Sequence, residues 1–157
     1  MKHNLKFEID YDLNFILIGI RSEMKDYQFA YFLNKSPFFE LNRMDHDISY
    51  ILNETKVYFS SFEYCNNDKK RSSFLIKNKV LYNSPAPISK SLFSESVDKT
   101  AFLIPELKEF DYLIKMVGIW KKQELKELKK FLHSMKNVEP QENINLTKIK
   151  SINNLVF

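Results

Sequence analysis

Short, nearly continuous apolar runs alternate along this chain with polar segments, and that rhythm limits the elements it can form. Residues 13–20, LNFILIGI, are apolar almost throughout and partly β-branched. Such a run predicts a buried central strand covered on at least one face. Ser22 offers an N-cap, and Glu23 and Asp26 put carboxylates where the helix dipole favours them, so a helix is expected over 23–34. Tyr27, Ala30, Tyr31 and Asn34 recur at i, i+3, i+4 and i+7, with Phe29, Phe32 and Leu33 widening the stripe. Asn34-Lys35-Ser36-Pro37 stops it. Residues 38–43 and 48–52 read as short strands, and 57–65 as one strand with room for a bulge. Residues 66–71 make a polar hairpin loop, and 73–77 return with Phe74 and Ile76 on one face. Residues 83–99, rich in Pro and Ser, read as a surface loop.

Residues 101–118, AFLIPELKEFDYLIKMVG, are the organising stretch. Pro105 biases Ile104 to an extended conformation and ends the first apolar run. Beyond it, Leu107, Phe110, Ile114 and Val117 fit a helical stripe, whereas Phe110, Tyr112, Ile114 and Met116 fit strand alternation. Aromatic and β-branched content, with Gly118 closing the run, favours a helical or turn-like excursion over 105–109 and a strand over 110–117. A helix is expected over 120–135, where Leu125, Leu128, Leu132 and Met135 line one face and Phe131 widens it. An extended segment over 137–146 follows, broken by Pro140, then a helical turn over 147–151 and an apolar Leu155-Val156-Phe157 end suited to docking. The strand–helix–strand order over 110–146 echoes that over 13–43. The expected fold is α+β: a two-layer sandwich, a mostly antiparallel sheet with two helices on one face, ferredoxin-like in arrangement, in a single domain over 1–157.

Composition narrows the function classes. Hydrophobic residues are 44% and charged residues 28%, the balance of a globular chain, and 14 Phe and 8 Tyr point to an aromatic, β-rich core. Two glycines, Gly19 and Gly118, are too few for a phosphate-cradling loop or a dinucleotide fingerprint. The net charge of +4 invites nucleic acid, yet it is carried mostly by lysine, with only Arg21, Arg43 and Arg71 as arginines. One cysteine, Cys65, precludes an internal disulfide and suits a reducing compartment. Neither a signal-peptide pattern nor a run of ~18 apolar residues is present, so a cytoplasmic location is expected.

Ile104-Pro105-Glu106, followed three residues later by Phe110-Asp111-Tyr112, resembles the signature of the IPExxxVDY family, with Phe110 standing where the pattern has Val. The resemblance extends to Gly19-Ile20, Asp26-Tyr27, Leu33-Asn34 and the 154–157 end. It implies a small bacterial cytosolic protein with no assigned activity. The six motif residues are expected to be structural: Pro105 stopping a strand, Glu106 accepting backbone N–H groups, and Asp111 and Tyr112 opening the next strand.

Candidate chemistry is sparse. Glu106 and Asp111 would serve as an acid/base pair only if they faced one cleft in different environments. Asp45-His46-Asp47 lacks the spacing of a metal site and reads as a solvated turn. Cys65 has no activating neighbour in sequence. No catalytic residue, metal or cofactor is expected. Lys121, Lys122, Lys126, Lys129 and Lys130 could join Lys69, Lys70 and Arg71 in one face for an anionic partner, and Trp120 is placed for a protein contact. The first expectation is a non-catalytic protein-interaction or adaptor module, acting on an unknown protein partner or as a homo-oligomer. The alternative is an RNA- or ribosome-associated accessory protein using the Lys-rich helix; an enzyme using Glu106 and Asp111 comes third.

Overall fold

A computed structural model describes residues 13–84 and 97–157. Ten strands, two helices and three short 3-10 turns follow in the order β1 (Phe15–Arg21), α1 (Asp26–Leu33), β2 (Asn42–Arg43), β3 (Ile48–Leu52), β4 (Thr55–Phe59), β5 (Ser61–Asn66), β6 (Arg71–Lys77), β7 (Lys79–Ser84), β8 (Val97–Phe102), a turn at Pro105–Leu107, β9 (Tyr112–Val117), α2 (Lys122–Ser134), β10 (Glu139–Gln141), and turns at Leu146–Lys148 and Ile152–Leu155.

Six strands form one antiparallel sheet in the order β10-β1-β9-β6-β5-β2. Taken without the inserted strands, β1, α1, β6, β9, α2 and β10 trace the β-α-β-β-α-β order of a ferredoxin-like arrangement. The protein is therefore an α+β sandwich, as its pattern predicts. β2 to β5 are inserted between α1 and β6, and the β7–β8 hairpin between β6 and β9.

Strand alternation divides the core in two. Ile18 and Ile20 of β1 and Tyr112, Ile114 and Met116 of β9 face α1 and α2, packing on Phe29, Leu33, Leu128 and Leu132. Leu17 and Leu113 face the other way, where Val57, Phe59, Leu103, Ile104, Phe110 and the C-terminal Ile149, Ile152 and Leu155 cover them. The second face of the sheet is thus roofed by hairpins and turns, so β1 and β9 are buried on both sides. This accounts for their near-continuous apolar runs.

The helices start alike. Lys25 is the N-cap of α1, and the Gln28 side chain reaches back to its N–H; at α2, Lys121 is the N-cap and Glu124 reaches back. Ser22, expected as the N-cap, instead accepts the Met24 N–H in a turn before the helix, while Asp111 takes its own N–H. The stripe of α1 is also rotated from expectation. Phe29, Ala30 and Leu33 are buried, whereas Tyr27, Tyr31 and Phe32 are 58%, 60% and 42% exposed. Asn34 turns to the following loop, where its amide bonds both backbone groups of Leu41.

Three strand boundaries differ from expectation. The run 57–65 is two strands in separate sheets, because the chain breaks at Ser60 between β4 and β5. Only Asn42–Arg43 of 38–43 pairs, since Phe39 and Leu41 are buried in the helix-side core instead. Residues 83–84 and 97–99, expected in a loop, belong to the β7–β8 hairpin; the rest of that loop, 85–96, lies outside the described residues, as does the chain before residue 13. No helix among the described residues is long and apolar enough to cross a membrane.

Candidate functional site

The motif segment is held by a residue that the sequence pattern disguises. Asn78, between β6 and β7, is completely buried. Its side-chain amide donates to the carbonyls of Leu107 and Phe110, and its oxygen accepts the Ile104 N–H. Its own backbone bonds Asp111 and Leu103. One side chain thus closes the turn at Pro105–Leu107 and supplies partners for buried backbone groups that would otherwise be orphaned. In sequence Asn78 reads as a turn residue; no local signal separates a turn asparagine from a buried one.

The six motif residues divide among several tasks. Ile104 and Phe110 fill the core on the roofed face. Phe110 lies directly on Gly19, where a Cβ would come within 2.5 Å of its ring, and the Arg21 guanidinium sits over the ring, 5.1 Å from its centroid. Pro105 opens the 3-10 turn. Glu106 is exposed and accepts the N–H and hydroxyl of Ser151, tying the C-terminal segment to the motif. Burial acts to raise the Glu106 carboxyl, but hydrogen bonds from its own backbone and from Ser151 outweigh it and hold the group below its ordinary range. The expectation that Glu106 accepts backbone N–H groups is met from an element distant in sequence rather than from its own turn alone.

Asp111 accepts the Ser22 N–H, and the Tyr112 hydroxyl donates to the Met24 carbonyl at 2.5 Å. Both lie on the floor of an open, polar cleft of about 750 Å³, walled by Asp26, Asp47, Ser60 and Lys77. Glu106 is not among its lining residues. The two motif carboxylates are bound by different elements, Glu106 by Ser151 and Asp111 by Ser22, and do not face this cleft together as an acid/base pair would. The two carboxylates of the wall are paired as well. Arg43 pairs with both Asp26 and Asp47, and Asp47 also receives the Ser61 N–H. Burial would raise the Asp26 carboxyl; the Ser60 hydroxyl, the Tyr27 N–H and the charges of Arg43 and Lys77 overcome this and lower it. Ser60 Oγ makes no hydrogen bond of ordinary geometry, so it acts on Asp26 as a nearby dipole. Burial foremost, then the charges of Asp26 and Asp111, push the Tyr112 phenol well above its ordinary value. Neither Asp26 nor Tyr112 is tuned toward neutrality, as proton transfer at neutral pH would require.

The basic residues are partly brought together. Loop residue Lys69 and Arg71 both reach Glu124 on the first turn of α2, at 3.4 Å and 2.9 Å. Arg71 is nearly buried, gives both guanidinium ends to Glu124, and stacks on Trp120 with its centre 3.8 Å from the ring. Gly118 makes this approach possible: at φ +98° it carries no Cβ where one would strike the Arg71 backbone and side chain. Hydrogen bonds from Arg71 and the Lys121 N–H lower the Glu124 carboxyl to about 2. Arg71 is therefore an internal staple, with the half-buried Trp120 packed against it. Lys129 pairs with Glu142, while Lys70, Lys121, Lys122, Lys126 and Lys130 are exposed. Asp45 and His46 are exposed, and Cys65 lies exposed on β5. Among the described residues, no group of three or more His, Cys, Asp or Glu could hold a metal ion.

A second surface escapes the sequence pattern. Between α1 and α2 runs an apolar groove of about 410 Å³, with Met24 and Phe32 on one side and Phe131 and Met135 on the other. Tyr31 and Phe32 meet edge to face at 5.5 Å, and the Lys35 ammonium lies over both rings. Comparison with protein-family models, with curated proteins and with solved structures finds no match to this chain.

Proposed function

We propose that this protein is a non-catalytic interaction module, and that it binds a protein partner through the outward face of α1 and the groove beside it. The observation that carries this reading is the exposure of Tyr27, Tyr31 and Phe32 on one short helix, next to an apolar groove. Aromatic side chains bring large contact area at low entropic cost and are the residues that dominate binding hot spots. The resemblance of residues 104–112 to the IPExxxVDY signature then belongs to the architecture: the segment ties β6, β9 and the C-terminal turns together, and Tyr112 supports α1 from beneath. A second reading, an RNA-associated accessory protein, draws on the attachment of the 69–71 loop to α2, which gathers exposed lysines at one end of the helix. It loses Arg71, whose guanidinium is spent internally.

The test is affinity capture of the tagged protein from its own cells, with and without nuclease, beside a Tyr27→Ser/Tyr31→Ser variant. Protein partners that survive nuclease and fall away in the variant are the expected result. Partners that all vanish on nuclease treatment would replace it with the RNA reading.

A further inference from the structure

We infer that the groove between α1 and α2 receives an acidic amphipathic helix of a partner protein; this rests on the interaction reading above and specifies its ligand. The groove walls are built at helical spacing. Phe32 lies on α1 and Phe131 and Met135 stand at i and i+4 at the end of α2, while Met24 closes the groove from the turn before α1. Apolar side chains on both sides of the groove suit the ridge of a third helix laid between them. The two methionines are unbranched and adaptable, as in surfaces that accept varied apolar anchors. The volume lies within the range, roughly 300–1,000 Å³, of pockets that hold compact ligands.

Charge selects the partner. Lys35 stands at one rim and Lys136 at the other, both exposed, and no carboxylate lines the groove. The cleft that adjoins it at Met24, Gln28 and Asn137 carries Glu23, Asp111 and Glu139, so the cationic lining is confined to the groove itself. A helix with an apolar stripe flanked by Glu or Asp would fill the groove and pair with both lysines. A basic helix would be repelled, as would a second copy docked through this same face, since like rims would meet. Nucleic acid is also anionic, but its phosphates would leave the apolar walls uncovered.

The experiment uses fluorescein-labelled synthetic peptides read by anisotropy at physiological salt. One carries leucines at i, i+3, i+4 and i+7 with glutamates elsewhere; its counterpart carries lysines in place of the glutamates. The acidic peptide is expected to bind at least roughly tenfold more tightly, and Lys35→Glu/Lys136→Glu, on two exposed positions, to reverse the order. Amide shifts on adding the acidic peptide should centre on residues 24–35 and 131–137. Equal binding of the two peptides, no reversal in the variant, shifts centred elsewhere, displacement by a single-stranded oligonucleotide, or a self-dimer that blocks the groove would each overturn the proposal. Its failure is separable from failure of the wider reading. If nuclease-resistant partners are still lost in Tyr27→Ser/Tyr31→Ser while the acidic peptide shows no preference, α1 is a binding face and only the groove's ligand is wrong.

Discussion

Asn78 is one side chain serving three backbone groups of a single loop, and its replacement tests how much the motif depends on it. Asn78→Ala would orphan the Ile104 N–H and the Phe110 carbonyl in a buried site, while the Leu107 carbonyl keeps the Phe110 N–H. At about 1–3 kcal/mol for each unpaired buried group, a loss of about 2 kcal/mol or more is expected, read as a lower urea midpoint at unchanged slope. Asn78→Asp should be worse, because it sets a carboxylate against two carbonyl oxygens. Gly19 and Phe110 form the other residue-level dependence. The ring leaves no room for a methyl group at 19, so Gly19→Ala alone should cost about 1–3 kcal/mol through overpacking. Phe110→Val, which restores the residue of the family signature, should cost about 2–3 kcal/mol through the cavity it opens. In the double variant the methyl enters that space, and the combined loss should fall short of the sum by about 1 kcal/mol or more. Strict additivity in a double-mutant cycle would show that ring and glycine are independent.

The elements were legible where a local pattern decided them. β1, β6, β9 and α2 follow from apolar periodicity, and the 3-10 turn follows from Pro105. What escaped was decided at a distance. The stripe of α1 is rotated because the sheet, already lined by Ile18, Ile20 and Tyr112, takes Phe29 and Leu33 and leaves the tyrosines outside; aromatic content alone could not say which ring faces in. Ser22 does not cap α1 because the helix starts later, with Lys25 as N-cap, while the Ser22 hydroxyl takes the Met24 N–H and Asp111, far along the chain, anchors its backbone. The start of α2 carries a consequence for acid stability. The Glu124 carboxyl is lowered to about 2 from an ordinary 4.5, chiefly by its Arg71 hydrogen bonds. A carboxylate favoured in the folded state contributes stability that is present above pH 4.5 and is lost as pH falls toward 2. Glu124→Gln should therefore be less stable than the parent near neutrality, and the gap should close progressively below pH 4.5. A gap constant with pH would place the loss in packing alone. Lys115 makes the opposite case on β9. Its ammonium bonds the Leu155 carbonyl and lies among the rings of Phe15, Phe74 and Phe157, and burial lowers it below its ordinary 10.5. An unfolded chain that binds this proton more tightly gains it at the expense of folding, so stability rises as pH climbs from the lowered value toward 10.5. Tyr112, raised by burial, works against this above pH 10. The difference between the parent and Lys115→Met isolates the lysine: the alkaline rise should be missing in the variant.

At the scale of the molecule, two cores share the central strands β1, β9 and β6. Side chains of β1 and β9 alternate between the helix-side cluster and the roofed cluster, so neither cluster keeps its floor if the other melts. The candidate surface was legible only in part for a related reason. The Lys-rich face of α2 is visible in sequence, but its pairing with loop 69–71 through Glu124 and the groove beside Phe131 depend on which elements the sheet brings together. The shared strands make a cooperative unit, and the single tryptophan allows that to be tested. Trp120 packs against the helix-side cluster, whereas Leu155 is completely buried in the roofed one. Leu155→Ala removes a core side chain on the face away from Trp120, at a cost of about 2–5 kcal/mol. If the sheet couples the two faces, the urea midpoint followed by Trp120 fluorescence should fall as far as the midpoint followed by far-ultraviolet circular dichroism, in one transition. If the faces unfold separately, the tryptophan signal should keep its original midpoint while part of the dichroism is lost earlier. Leu132→Ala on the helix side supplies the converse comparison, and coincident shifts in both variants are the expected outcome.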